Sequence, residues 1–190
     1  MRNKSQRYTL GFNFDKTIEG GLVSNQLFDL ISITFLEVKM SEFLLFSEVL
    51  EKTELVFAYI KTTVCPERTG GYLCVLEEES GIPALIMKIG FVPADKKKKY
   101  FEFAQEKAGR LWVTHSHQLS FQSRDEKSNR YGGAIRARNF IFSFSGFTEE
   151  ADEALCLILA VLLNQLEKSE ALALAKISRN SYVEKFFPTN

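Results

Sequence analysis

Cysteine is scarce in this 190-residue chain: Cys65, Cys74 and Cys156 are the only three. The count is odd and no C-x-x-C pair occurs, so neither a zinc ribbon nor a redox dithiol is supported. Cys74 and Cys156 sit in apolar runs and read as buried thiols, which points to a reducing compartment. Net charge is missing as well, with 24 Lys+Arg against 24 Asp+Glu. Broad binding to nucleic acid or to an anionic membrane needs a basic excess, so neither partner is expected. Zero net charge also removes repulsion between copies, and a homo-oligomer is expected. No apolar run is long enough to span a bilayer. The first residues, MRNKSQRYTLGFNFD, lack the apolar segment of a signal peptide, so a cytoplasmic location is expected. No internal repeat occurs, and no catalytic constellation stands out.

What the chain has is aromatic bulk. Phenylalanine occurs 17 times and hydrophobic residues make up 45%. A chain of this length can bury a full core without disulfides or a metal, and that core should be rich in rings.

Residues 8–14 alternate with period two, so Tyr8, Leu10, Phe12 and Phe14 would share one face of a strand. Residues 27–38 are β-branched and aromatic enough for a second strand. Residues 1–40 therefore read as a β extension. Ser41 reads as a helix cap, and the apolar side Phe43, Phe46, Leu50, Phe57 and Ile60 carries a helix to about residue 62. Pro66, Gly70 and Gly71 mark a loop. Residues 72–77 and 83–90 read as a hairpin around Glu78-Glu79-Ser80-Gly81. A helix follows over about 95–110, capped by Asp95, with Tyr100, Phe103, Ala104, Lys107 and Ala108 on its inner side. The lysine run 96–99 at its start lacks an interleaved aromatic platform and reads as a solvated face.

Residues 113–130 are polar and read as a loop that holds both histidines, His115 and His117. In extended backbone the two would share a face. They could reach a ligand together, but two ligands are too few for a closed metal site. Gly132-Gly133-Ala134-Ile135 opens a short strand, Arg136 to Asn139 make a turn, and Phe140 to Ser145 form the return strand. Gly146 breaks that strand and Thr148 caps a helix to about residue 166. Glu149, Glu150, Asp152 and Glu153 suit its positive end. From Ala154 onward it is apolar almost all round, so something must cover both of its sides: a terminal extension or a second subunit. Residues 167–190 read as a helical extension, with Tyr182, Phe186 and Phe187 docking on the body or on a partner.

The order from Ser41 is helix, hairpin, helix, loop, hairpin, helix. It predicts an α/β (α+β) domain over residues 41–166, a single antiparallel sheet flanked by helices, as in profilin-like folds. On that frame lie Lys107-Ala108, Gly132-Gly133-Ala134-Ile135, Ser145-Gly146 and Asp152-Glu153. In order and spacing these elements resemble the GlcG/HbpS-like family, whose members are often labelled haem-binding or haem-degrading domain proteins. Two positions depart from the pattern. Val75-Leu76-Glu77 stands where the family commonly has Val-Asp before a Gly-rich turn, and Ala134 stands where a Pro often follows the Gly pair.

The resemblance implies a self-assembling domain with a small-molecule or haem pocket near the two glycine turns. Glycine lets a ligand approach the backbone, and the helix start after Thr148 offers amide donors to an anion. The candidate ligand-binding residues are Lys107, His115, His117, Gly132, Gly133, Arg136, Ser145 and Gly146. Each has a structural alternative: a bulge for the Gly pair, a tight turn for Ser145-Gly146, a solvated helix end for Lys107, an exposed turn for Arg136 and Arg138. Asp152 and Glu153 are adjacent and face apart, so they are no acid/base pair. A triad of His115, Ser145 and Asp152 lacks the G-x-S-x-G elbow. A binding or interaction protein is the first expectation. An enzyme acting on haem or a small organic acid is the second, and a purely structural, partner-binding subunit the third.

Overall fold

Period-two alternation gives the strand Gly70–Glu77 (β1) two unlike faces. Leu73 and Val75 enter one hydrophobic core, Cys74 and Leu76 the other. These elements belong to the computed structural model of the protein, which describes residues 46–188. The strands expected at 8–14 and 27–38, and the Ser41 cap, lie outside the described residues.

β1 is central. On one side it pairs antiparallel with β2 (Pro83–Gly90), in a register that sets Tyr72 opposite Lys88. On the other side it pairs antiparallel with β4 (Phe140–Ser145), Cys74 opposite Ser143. β3 (Ala134–Arg136) completes the sheet against β4, giving the order β2-β1-β4-β3. The expected single antiparallel sheet flanked by helices is the fold. One boundary moves: Arg136 belongs to β3, not to the turn.

Helices cover both faces. Residues 46–63 form α1, whose Val56, Phe57 and Ile60 join Leu73, Phe142 and Phe144 in the larger core. The same core holds α3 (Glu149–Leu162), buried at every position from Ala151 to Ala160. Its outer side is covered by α4 (Lys168–Ser178) and α5 (Tyr182–Phe186) of the same chain. No second subunit is needed to bury it. The tail docks on the body, Phe186 meeting Tyr59 edge-on with ring centroids 4.8 Å apart.

The opposite face carries α2 (Lys97–Val113), which sets Ala104, Ala108 and Leu111 against Cys74, Leu76, Ala134 and Ile141. Small residues on both partners let helix and sheet approach closely. α2 starts two residues after its expected cap: Pro93 O accepts from Lys96 N at 2.9 Å and Lys97 N at 3.1 Å, which makes a turn there, and Lys96 becomes the cap. Among the described residues no helix is long and apolar enough to cross a membrane.

α3 and α4 are tied by a buried carboxylate. Glu153 is 1% exposed. It accepts from the Ser178 hydroxyl and, at 3.3 Å, from Asn180 Nδ2, which also donates to Glu150 O at 2.7 Å. Burial lifts the Glu153 carboxyl from 4.5 to about 7, against the pull of Ser178 and Asn180. The folded protein therefore keeps a proton that the unfolded chain releases from about pH 4.5 upward. This contribution is present below that pH and is lost as pH rises toward 7. Denaturant titrations across pH 4.5–8 should show Glu153→Gln gaining stability over wild type as pH rises, by roughly 3 kcal/mol at the upper end. Parallel curves for the two proteins would refute a buried, proton-holding Glu153.

Candidate functional site

α2 carries two neighbouring stripes. Ala104, Ala108 and Leu111 face the sheet. One step round, Lys96, Lys99, Tyr100, Phe103 and Lys107 recur at helical spacing and line a cleft. Lys107 stands where these stripes meet and is 2% exposed. Its ammonium donates to Asp152 Oδ2 at 2.7 Å and to Phe144 O at 2.9 Å. The other Asp152 oxygen accepts from Phe147 N at 2.9 Å. Burial pushes the Asp152 carboxyl up; Lys107 and the Phe147 N–H pull it back.

Both glycine elements serve this pair. Gly133 has φ 109°, and a Cβ there would lie 2.7 Å from Asp152 Cβ and 2.8 Å from Lys107 Nζ. Any side chain would strain the backbone and strike the ion pair. Gly146 lets the end of β4 cross the start of β1, since a Cβ there would come within 2.6 Å of Gly70 O and of Gly71 Cα. Lys107, Gly132-Gly133, Ser145-Gly146 and Asp152 are scattered over more than forty positions, yet they meet at one place.

The cleft beside them has a volume of about 410 Å³. Lys107, Asp152 and Ser145 form its floor, and Tyr100, Phe103, Tyr131 and Phe147 bring rings to its wall. Arg68, Lys96 and Lys99 bring positive charge to it, and Thr148 and Glu149 complete the lining. Ser145 is 3% exposed, and its hydroxyl has no hydrogen-bond partner among the described residues. Glu149 is already bound, accepting from Arg124 Nε at 2.7 Å and from Gly132 N at 2.9 Å. Among the described residues the ion pairs of Arg68 and Lys96 are only with their chain neighbours, Glu67 at 3.4 Å and Asp95 at 3.5 Å, and Arg68 also donates to Tyr100 Oη at 3.0 Å. Lys99 has no ion pair among the described residues; its Nζ lies 5.3 Å from the Phe103 ring centre.

The eight candidate residues divide. Lys107 and Ser145 line the cleft, Gly133 packs on the ion pair beneath it, Gly132 holds Glu149, and Gly146 shapes the adjoining turn. Lys107 is not the solvated helix-end residue of its alternative reading, because Asp152 draws it inside. Arg136, His115 and His117 lie elsewhere, around the C-terminal end of α2. Arg136 is buried rather than exposed and does grip a carboxylate, that of Glu78 in its own chain. It also donates to His117 O and Leu111 O, so its guanidinium is committed to holding α2 and the loop against β3. His115 is exposed, edge-on to Trp112. His117 Nδ1 is buried without a partner. Among the described residues no group of three or more His, Cys, Asp or Glu could hold a metal. The start of α3 is not an open anion site either: Thr148 accepts from Ala151 N at 3.4 Å, Asp152 takes Phe147 N, and Glu149 and Glu150 meet the dipole.

Arg68, Lys99, Tyr131 and Phe147 were not among the residues singled out as candidates. The signal for part of the set was present: Tyr100, Phe103 and Lys107 share one side of α2. The lysine run concealed the rest. Lys97 and Lys98 are solvated as expected, while Lys96 and Lys99 line the cleft.

No family model, no curated protein and no solved structure matches the chain. The GlcG/HbpS-like resemblance rests on the short elements quoted above.

Chemically the site offers charge, rings and hydrogen bonds. Among the described residues neither Ser145 nor Thr148 is hydrogen-bonded to a histidine or a lysine. Burial lifts the Cys74 thiol to about 11 and also raises Cys156, which disfavours a thiolate at either. Removing one partner of the buried pair strands the other. Lys107→Met should cost roughly 3–5 kcal/mol in denaturant unfolding. Adding Asp152→Asn, which removes the stranded charge and can keep the bond from Phe147 N, should recover part of that loss. Additive losses in the double variant would show that the pair is not coupled.

Proposed function

We propose that this protein binds a small organic anion in the cleft between α2 and the start of α3. One observation carries the reading: the two acidic side chains of the lining are satisfied within the chain, while Lys99 is left without an ion pair among the described residues. Arg68 and Lys96 add positive charge beside it. The ring-lined wall gives an organic body something to bury against, as small-molecule sites commonly do. A binding role is favoured over an enzymatic one because the floor holds an ion-paired lysine and no nucleophile hydrogen-bonded to a base.

Haem is the ligand that the family resemblance implies. Its carboxylates would suit Arg68, Lys96 and Lys99. Its iron is less well served. Among the described residues no His, Cys or Met lines the cleft, Tyr100 Oη accepts from Arg68 at 3.0 Å, and Tyr131 Oη donates to Asn129 at 3.3 Å. The donor set fits a metal-free carboxylate better than an iron centre.

Titration calorimetry with 2-naphthoate should show binding that weakens as salt is raised. Lys99→Glu should weaken it about tenfold or more, since the substitution replaces attraction by repulsion. Lys98→Glu, one position round the helix and solvated, should change it little. Equal effects from the two variants would mean that general charge, not this cleft, attracts the anion. A haem titration showing iron ligation that survives Lys99→Glu would favour the haem reading instead.

A further inference from the structure

We infer that the ligand is a flat, aromatic organic monoanion with an uncharged oxygen at the end opposite its charge. This rests on the anion-binding reading of the same cleft and adds the chemistry of the buried end.

The floor is polar but electrically closed. An ammonium has three donors, and Lys107 spends two of them, on Asp152 Oδ2 at 2.7 Å and Phe144 O at 2.9 Å. Asp152 balances its charge, so a second anion there would be desolvated against a neutral pair. One ammonium proton remains without a partner among the described residues, and so does the Ser145 hydroxyl, in a side chain 3% exposed. The floor thus offers spare donors but no spare charge, which suits an oxygen that accepts hydrogen bonds and carries no charge. The anionic end belongs with Lys99.

Between the ends lie rings. Phe103 and Tyr131 stand 5.5 Å apart, centre to centre, and Tyr100 lies one turn of α2 from Phe103. Aromatic side chains favour a flat, apolar ligand body. Lys99 Nζ lies 5.3 Å from the Phe103 ring centre, and Phe103 stands one turn, about 6 Å of rise, before Lys107 on α2. An aromatic body of one or two rings lies between the charge and the floor.

The test uses the full chain and calorimetry with four probes: 6-hydroxy-2-naphthoate, 2-naphthoate, naphthalene-2,6-dicarboxylate and inorganic phosphate. The hydroxynaphthoate should bind about tenfold more tightly than 2-naphthoate, the size of effect expected for hydrogen bonds to a buried charged donor and a hydroxyl. The dicarboxylate should bind no better than 2-naphthoate, and phosphate far more weakly. Ser145→Ala should narrow the ratio of affinities between the hydroxynaphthoate and 2-naphthoate. Equal binding of the two naphthoates, with Lys99→Glu weakening both, would overturn the assignment of the floor and leave the anion site standing. Tightest binding by the dicarboxylate, or phosphate matching the hydroxynaphthoate, would also overturn it. No binding by any naphthoate, or no effect of Lys99→Glu, would remove the anion site and this inference together. The wild-type series decides the matter even if Ser145→Ala does not fold.

Discussion

The ion pair between Lys107 and Asp152 is the constraint on which the rest of this structure turns. It joins α2, on one face of the sheet, to α3, on the other, across the end of β4. Both side chains are 3% exposed, so neither can lean on water to carry its charge. Such a pair needs further hydrogen bonds to be tolerated. Phe144 O supplies one to the lysine and Phe147 N one to the carboxylate. Those two backbone groups belong to the end of β4 and to the turn before α3. The pair therefore fixes the turn as much as the turn fixes the pair.

The glycines follow from that constraint. Two buried side chains and a strand end crowd into one spot, and the chain passing over them can have no side chain of its own. Gly133 meets the need with a positive φ. Gly146 meets a related need where β4 passes β1. The small residues between α2 and the sheet belong to the same logic. Ala104 and Ala108 set α2 low enough for the lysine one stripe away to reach across.

The cleft is what this packing leaves open. α2 presents one stripe to the sheet and the next to solvent, and the loop through Tyr131 and the start of α3 wall it in. Its floor is rigid because it is the ion pair. Its charge is positive because its carboxylates already have partners. The other end of α2 has the opposite character. There Arg136 ties Glu78, Leu111 and His117 together, with each of its three guanidinium nitrogens bonded inside the chain. Arginines and histidines that looked alike in sequence differ in the fold because only tertiary contacts decide whose hydrogen bonds are already used.

The sequence alone determined the elements that depend on local pattern. The runs 72–77 and 140–145 marked the central strands, though Gly70 and Gly71 were read as loop and belong to β1; Thr148 with its acidic followers marked a helix start, and an apolar run marked a helix that must be covered on all sides. These signals are short-range, so they survive without the fold. The boundary of α2 was misplaced by two residues, because the turn at Pro93 outweighed Asp95 as a cap. What covers α3 was left open between a second subunit and the chain's own extensions, and α4 and α5 decided it. The candidate site was half legible. Lys107, the Gly pair and Ser145-Gly146 were singled out, with a pocket expected near the two glycine turns, but not that Asp152 is the partner of Lys107. His115, His117 and Arg136 were grouped with them and lie elsewhere. A sequence states which groups are charged or small. Which of them are desolvated together is settled only when α2 and α3 close on the end of one strand.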